Sequence, residues 1–122
     1  MLKLQTRKFA KWASRQHISE DSLIDAIKEV EDGLFDAHLG PHLYKKRIAF
    51  EGKGKSGGGR TIICYKKNNR IIFIHGFAKN ETSNLSKKEL LAFKELSKIL
   101  IELPQESIDI AIGNGNFVEV TS

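Results

Sequence analysis

The chain opens on an alternating stretch, Leu2-Lys3-Leu4-Gln5-Thr6, whose period of two predicts a short strand. Phe9, Trp12 and Ala13 then fall at i, i+3 and i+4, one stripe of a short helix. Ser19 is placed to cap a second helix, with Glu20 and Asp21 in the first turn, where the helix dipole favours acids. Leu23, Ile24, Ile27 and Val30 continue that helix and Gly33 stops it. "DAHLGPH" reads as a polar, turn-rich connection. The pattern then changes to strands. "LYKKRIAF" (43–50) mixes alternation with cations, "RTIICYK" (60–66) is a β-branched run, and "RIIFIHGFA" (70–78) pairs back through the short connection "KNN" (67–69). "SKKE" (86–89) has the spacing of a capping box. It opens a helix carrying Leu90, Phe93, Leu96, Leu100 and Leu103 on one side, and Pro104 ends it. "QESIDIAI" adds one or two turns before Gly113, and "NFVEV" forms a last strand or a tail.

Helices segregated from a meander of antiparallel strands indicate an α+β domain. At 122 residues the chain fits one compact domain with one core. No apolar run approaches the eighteen or so residues that span a bilayer. The start, "MLKLQTRKFAKW", has cations but no apolar h-region, so no signal peptide is expected and a cytoplasmic, soluble protein is the plain expectation. A single cysteine, Cys64, rules out an intrachain disulfide and a cysteine-based zinc site. The histidines at 17, 38, 42 and 75 show no ligand spacing, and Gly40-Pro41 breaks any helix that would bring His38 and His42 together. Neither metal nor cofactor is expected.

Charge changes this picture. Residues 41–80 hold ten Lys and Arg against one acid, Glu51, so this third carries about +9 of a net +5 and the remainder is mildly acidic. A basic block inside an acidic chain favours a polyanionic partner, most often nucleic acid; the plain alternative is a solvated face. Within the block lies "EGKGKSGGGR" (51–60). It is not a Walker loop: the pattern G-x-x-x-x-G-K-[ST] would need glycine at Ala49, and the run leads into a strand rather than a helix that could receive a phosphate. A glycine-rich connection carrying Lys53 and Lys55 between basic strands suits a chain of phosphates, or is simply a long hairpin loop.

"KKRIA…GKGKSGGGRTIICYK…RIIFIHGFAKNETSNLSKKEL" resembles the RelE/ParE superfamily of bacterial toxins, in the HigB-like branch, over about residues 43–95. The most specific parts are G-K-G-K-S-G-G-x-R and G-F-A-K-N-E; "FAKWASRQ" and "GLFDAHLG" also look like the branch. The resemblance implies a RelE-like small toxin fold: two N-terminal helices and a C-terminal helix on a curved antiparallel sheet of three to four strands. It implies one toxin domain over 1–103, with 104–122 an extension of the same domain that carries no matched motif. It further implies an mRNA interferase of a type II toxin–antitoxin system, cutting mRNA on the ribosome. The expected partner is a cognate antitoxin, of the helix-turn-helix kind, encoded next to it.

Cleavage of this type uses the ribose 2′-hydroxyl against the adjacent phosphate, so DNA is not a substrate. The protein must align the attack, stabilise the extra charge on phosphate, and supply a base and an acid. Arg60 is the first candidate: it matches the strand arginine of the motif, and a guanidinium holds two phosphate oxygens at once. Lys79 matches the cation that relatives place beside the scissile phosphate. Lys55 and Glu81 complete the catalytic candidates, though Glu81 reads equally well as a partner for Lys79. Lys45, Lys46, Arg47, Lys53, Asn80 and Asn84 are the RNA-binding candidates, and alternation lets only part of the 45–47 trio face one groove. His75 has a pKa suited to proton transfer but lies in an apolar strand, where a lone histidine reads as a sheet residue. Tyr65 reads as core before it reads as a stacking platform. Relatives of the RelE type place a tyrosine near the position of Leu85, and its absence here keeps open a non-catalytic nucleic-acid-binding protein. A ParE-like gyrase inhibitor on the same fold is the other alternative.

Overall fold

The computed structural model describes residues 1–50, 58–79 and 85–121 of the chain. Its elements run β1 (Leu2–Thr6), α1 (Arg7–Arg15), α2 (Glu20–Glu31), β2 (Ala37–Gly40), β3 (Leu43–Ile48), β4 (Gly59–Lys66), β5 (Arg70–Ala78), α3 (Lys87–Glu102), α4 (Gln105–Gly113) and β6 (Phe117–Glu119). The architecture is α+β, as expected, but with four helices on a six-stranded sheet in the order β2-β3-β4-β5-β1-β6.

The sheet is mixed, which corrects the antiparallel sheet of three to four strands. β1 pairs parallel to β5, with Leu2 opposite Arg70 and Gln5 opposite Phe73. Hairpin logic joins only antiparallel neighbours, and a parallel partner arrives through a long crossover, here two helices and three strands. β6 pairs antiparallel to β1, so the segment after Pro104 is part of the same sheet. β2 falls inside the stretch read as a connection. It is a four-residue edge strand without β-branched residues, and the turn is only Pro41-His42, with His42 at φ 59°.

Three helices start where a side chain satisfies the first free N–H groups. Thr6 accepts from Phe9 N–H, Ser19 from Ser22 N–H, and Ser86 from Glu89 N–H while Glu89 returns a bond to Ser86 N–H.

Alternation along β3, β4 and β5 sends apolar side chains to both faces. On one, Leu43, Ile62, Cys64, Ile72, Ile74 and Phe77 pack with Leu100, Ile101 and Ile108 of α3 and α4. On the other, Ile48, Ile63, Ile71 and Phe73 pack with Phe9 and Ala13 of α1 and Leu23, Ala26, Ile27 and Val30 of α2. The central strands are therefore apolar on both faces, and helices cover both. A bulge opposite Ile62–Ile63 makes Ile62 pair with His75 and Ile63 with Phe73, so the far end of β5 is re-aimed. β1 ends opposite Phe73 and turns into α1, so among the described residues no strand adjoins β5 from 74 onward on that side.

Candidate nucleic-acid interface

The end of the sheet nearest the 51–57 segment is built from three strands in known register. Arg47 stands opposite Arg60, which stands opposite Phe77; two pairs further in, Lys45 stands opposite Ile62, which stands opposite His75. Directly paired residues share a face. Ile62 and Phe77 belong to the layer under α3 and α4, so Lys45, Arg47, Arg60 and His75 all spring from that face. Lys79 follows β5, and its N–H donates to Gly58 O at 3.3 Å, which continues the ladder by one step. Arg60 and Lys79 are thus diagonal neighbours, with Cα atoms about 7–8 Å apart by ladder geometry.

Two arginines face one another across β3 and β4, and like charges directly opposite are unfavourable. The Arg47 N–H donates to Asp36 rather than to β4, so this is a non-hydrogen-bonded pair, the kind whose side chains lie closest. Asp36 compensates only one of them: its carboxylate meets Arg47 Nε at 2.6 Å. Arg60 donates to the carbonyl of its own neighbour, Gly59, at 3.3 Å, and no described carboxylate pairs with it.

Lys46 is placed elsewhere. Alternation sends it to the α2 side, where it is 6 % exposed and its ammonium lies 3.3 Å from Glu29. Two further members of the basic block are also committed. Arg70 is buried and donates to Leu100 O at 3.0 Å and Leu103 O at 2.8 Å, satisfying carbonyls at the end of α3. Lys66 and Lys67 sit at the β4–β5 hairpin, about 20 Å along the strand from Arg60. Lys53, Lys55, Asn80, Glu81 and Asn84 lie outside the described residues.

His75, set aside in the sequence as a sheet residue, shares the Arg60 face and is half-buried, its ring 4.8 Å from that of Phe93 on α3 and 6.0 Å from that of Phe77. Burial lowers its pKa from 6.5, Lys8 adds to this, and Glu89 opposes it. The neutral ring is therefore favoured near pH 7 and can accept a proton. Leu85 packs against the apolar layer that contains Phe77. Cys64 is buried and pushed up to about 11 by burial, which removes it as a nucleophile.

The glycines have an unexpected role. A Cβ on Gly58 would lie 2.2 Å from Ile48 O, and one on Gly76 would lie 2.3 Å from two carbons of the Trp12 ring. These glycines permit close packing, not only loop freedom.

A cleft of about 440 Å³ lies between α2 and the end of β3, lined by Asp25 and Glu29 but also by Lys28 and Arg47. Its charges are mixed, two carboxylates against two cations, unlike the Arg60 face. A smaller cavity of about 190 Å³ opens at the free edge of β5, lined by Lys8, Phe9, Trp12, Arg15, His75 and Gly76. Sequence reading took Phe9, Trp12 and Ala13 as an apolar stripe and passed over Lys8 and Arg15 beside it. Their spacing with Trp12, i, i+4 and i+7, was the available signal.

A family model described as the RelE toxin of the RelE/RelB toxin–antitoxin system matches residues 1–120.

Proposed function

The chain belongs to the RelE toxin family, the toxin side of a toxin–antitoxin pair, and from that premise we propose that it is an endoribonuclease of the HigB-like branch. It cuts messenger RNA on the ribosome, in the cytoplasm, and is held in check by a helix-turn-helix antitoxin. No described helix is long and apolar enough to cross a membrane.

The observation that carries the reading is the Arg47–Arg60 pair. A sheet that sets two guanidinium groups opposite each other and, among the described residues, pairs a carboxylate with only one of them keeps a cation ready for a phosphate. Arg60 holds the non-bridging oxygens of the scissile phosphate, and Lys79, its diagonal neighbour, offsets the charge that builds on phosphorus. The 2′-oxygen attacks phosphorus in line as its bond to hydrogen breaks, and the 5′-oxygen of the next nucleotide leaves, taking a proton from water. The products are a 2′,3′-cyclic phosphate and a 5′-hydroxyl, with no metal required. His75 takes the 2′-hydroxyl proton, its neutral ring being the form that can do so. Lys45 and Arg47 hold the flanking backbone; Lys53, Asn80 and Asn84 as RNA-binding residues, and Lys55 and Glu81 as catalytic ones, are proposed from the sequence alone. Lys46 is not among them. Residues 1–103 form the toxin domain, and 104–122 complete its sheet.

Mapping RNA 5′ ends in cells shortly after induction tests this. Wild type yields new 5′ ends within messages, and Arg60→Ala lowers their yield by about 10²–10³-fold, as for loss of one donor to a developing anion. A folded Arg60→Ala protein that cuts like wild type removes Arg60 from the site. Intact messages with a DNA-damage response would instead indicate gyrase as the target.

A further inference from the structure

We infer that the cavity between α1 and the free edge of β5 is a second phosphate subsite for the RNA backbone, adjoining the Arg60 face. The inference rests on the nuclease reading above and names a further part of the same substrate path. Three observations on unrelated elements converge there.

First, α1 presents Lys8, Trp12 and Arg15 as one stripe to the cavity, with Lys8 and Arg15 both exposed. Neither cation forms an ion pair with a described residue, and the cavity lining contains no carboxylate. Glu89 at the start of α3, which interacts with His75 and Lys8, is held in the capping box by the N–H of Ser86. Second, the cavity exists because β1 stops opposite Phe73 and Gly76 has no side chain. The sheet edge is left open beside His75, and the Trp12 ring lies against Gly76 as one wall. Third, His75 belongs to both places. It lines this cavity and also stands opposite Ile62, diagonal to Arg60, so its Cα is about 7–8 Å from that of Arg60. A strand of RNA on the Arg60 face therefore reaches the cavity by rounding the edge of β5. The volume of about 190 Å³ equals that of about six waters and suits one phosphate group, not a nucleoside triphosphate.

Trp12 is the sole tryptophan, so its emission reports directly on the cavity. The full-length protein is titrated with a 2′-O-methyl RNA oligonucleotide, which cannot be cut, and separately with inorganic phosphate. Binding is followed by Trp12 emission and by anisotropy of the labelled oligonucleotide at several salt concentrations. The oligonucleotide is expected to change Trp12 emission saturably in wild type. The double variant Lys8→Ala/Arg15→Ala is expected to bind about tenfold more weakly, with the salt slope reduced by about one. His75 faces Lys8 and Arg15 from α1 and Glu89 from α3, and a bound phosphate favours its protonation. Wild-type affinity is therefore expected to rise between about pH 7.5 and pH 6, and to rise less in His75→Asn.

Unchanged anisotropy affinity and salt slope in the double variant overturn the inference, whatever Trp12 does. So does a full Trp12 response to inorganic phosphate with no greater affinity for the oligonucleotide, which would mark a site for free anions. The two readings fail separately. If message cutting depends on Arg60 but not on Lys8 and Arg15, the subsite falls and the nuclease stands. If wild type cuts nothing while the double variant loses binding, the nuclease falls and the phosphate site stands.

Discussion

Gly76→Ala isolates a contact on which the α1 side of the molecule depends. A methyl at Gly76 would sit 2.3 Å from two ring carbons of Trp12 and 2.7 Å from a third, against 3.4–4 Å for an ordinary contact. The ring must retreat by about 1 Å. It has little room to do so: the Phe9 ring is 5.6 Å away on one side, the Phe50 ring 6.0 Å on another, and a Cβ on Gly59 would already be 3.0 Å from the same indole. Forcing a methyl into such a packed site costs about 1–3 kcal/mol. Replacing strand glycine returns about 0.5–1 kcal/mol through the unfolded chain. Since the obstacle is a wedged ring rather than a flexible side-chain end, we expect a net loss of about 2 kcal/mol, or about 8 °C in Tm for a chain of this length. Urea denaturation followed by far-ultraviolet circular dichroism measures it. In a Trp12→Leu background the methyl enters space the indole has left, and Gly76→Ala should cost less than about 0.5 kcal/mol there, a coupling of about 2 kcal/mol. An equal cost in both backgrounds would refute the argument, since the penalty would then reside in the strand. A neutral Gly76→Ala in the wild-type background would refute the geometry itself.

The same structure sorts other positions. Arg70→Met removes the donor to Leu100 O and Leu103 O at the end of α3, and should lower stability by about 2–4 kcal/mol while leaving cutting per folded molecule unchanged. Lys46→Met keeps the apolar stem and loses the ammonium near Glu29; a change of about 1 kcal/mol or less and unaltered cutting are expected, and a folded but inactive variant would return Lys46 to the RNA site. His75 has a folded pKa below 6.5, so the unfolded chain binds more protons as pH falls through 6.5, and stability should drop below that value. His75→Phe should flatten this part of the stability profile in urea titrations at a series of pH values; an unchanged slope would contradict the assignment.

The element pattern was legible where local chemistry decides it. The caps at Ser19 and Ser86 and the runs 2–6 and 70–78 correspond to observed element starts and strands, because each depends on residues within one turn or one strand. What escaped depends on distant partners. "AHLG" is a strand only because β3 lies beside it, and β1 is parallel to β5 only because the chain returns after two helices and three other strands. Gly58 and Gly76 illustrate the same limit. Glycine in a cationic loop suggests backbone freedom, whereas the nearby Ile48 carbonyl and Trp12 ring become evident only once the layers are assembled.

Charge segregated along a chain is not charge segregated in space, and this bears most on the site. The ten cations of 41–80 promise one basic face, yet the fold spends Lys46 on Glu29, Arg47 on Asp36 and Arg70 on the end of α3, and carries Lys66 and Lys67 to the far hairpin. Among the described members, Lys45, Arg60 and Lys79 lie at the same end of the sheet as Arg47. Lys8 and Arg15, outside the block and about sixty residues away along the chain from His75, are brought beside it by the parallel pairing of β1 with β5. A local count of charge weighs every cation equally. The register decides which guanidinium groups have a carboxylate to meet, and the proposed polyanion site rests on the mismatch at Arg47–Arg60, two cations and one acid among the described residues.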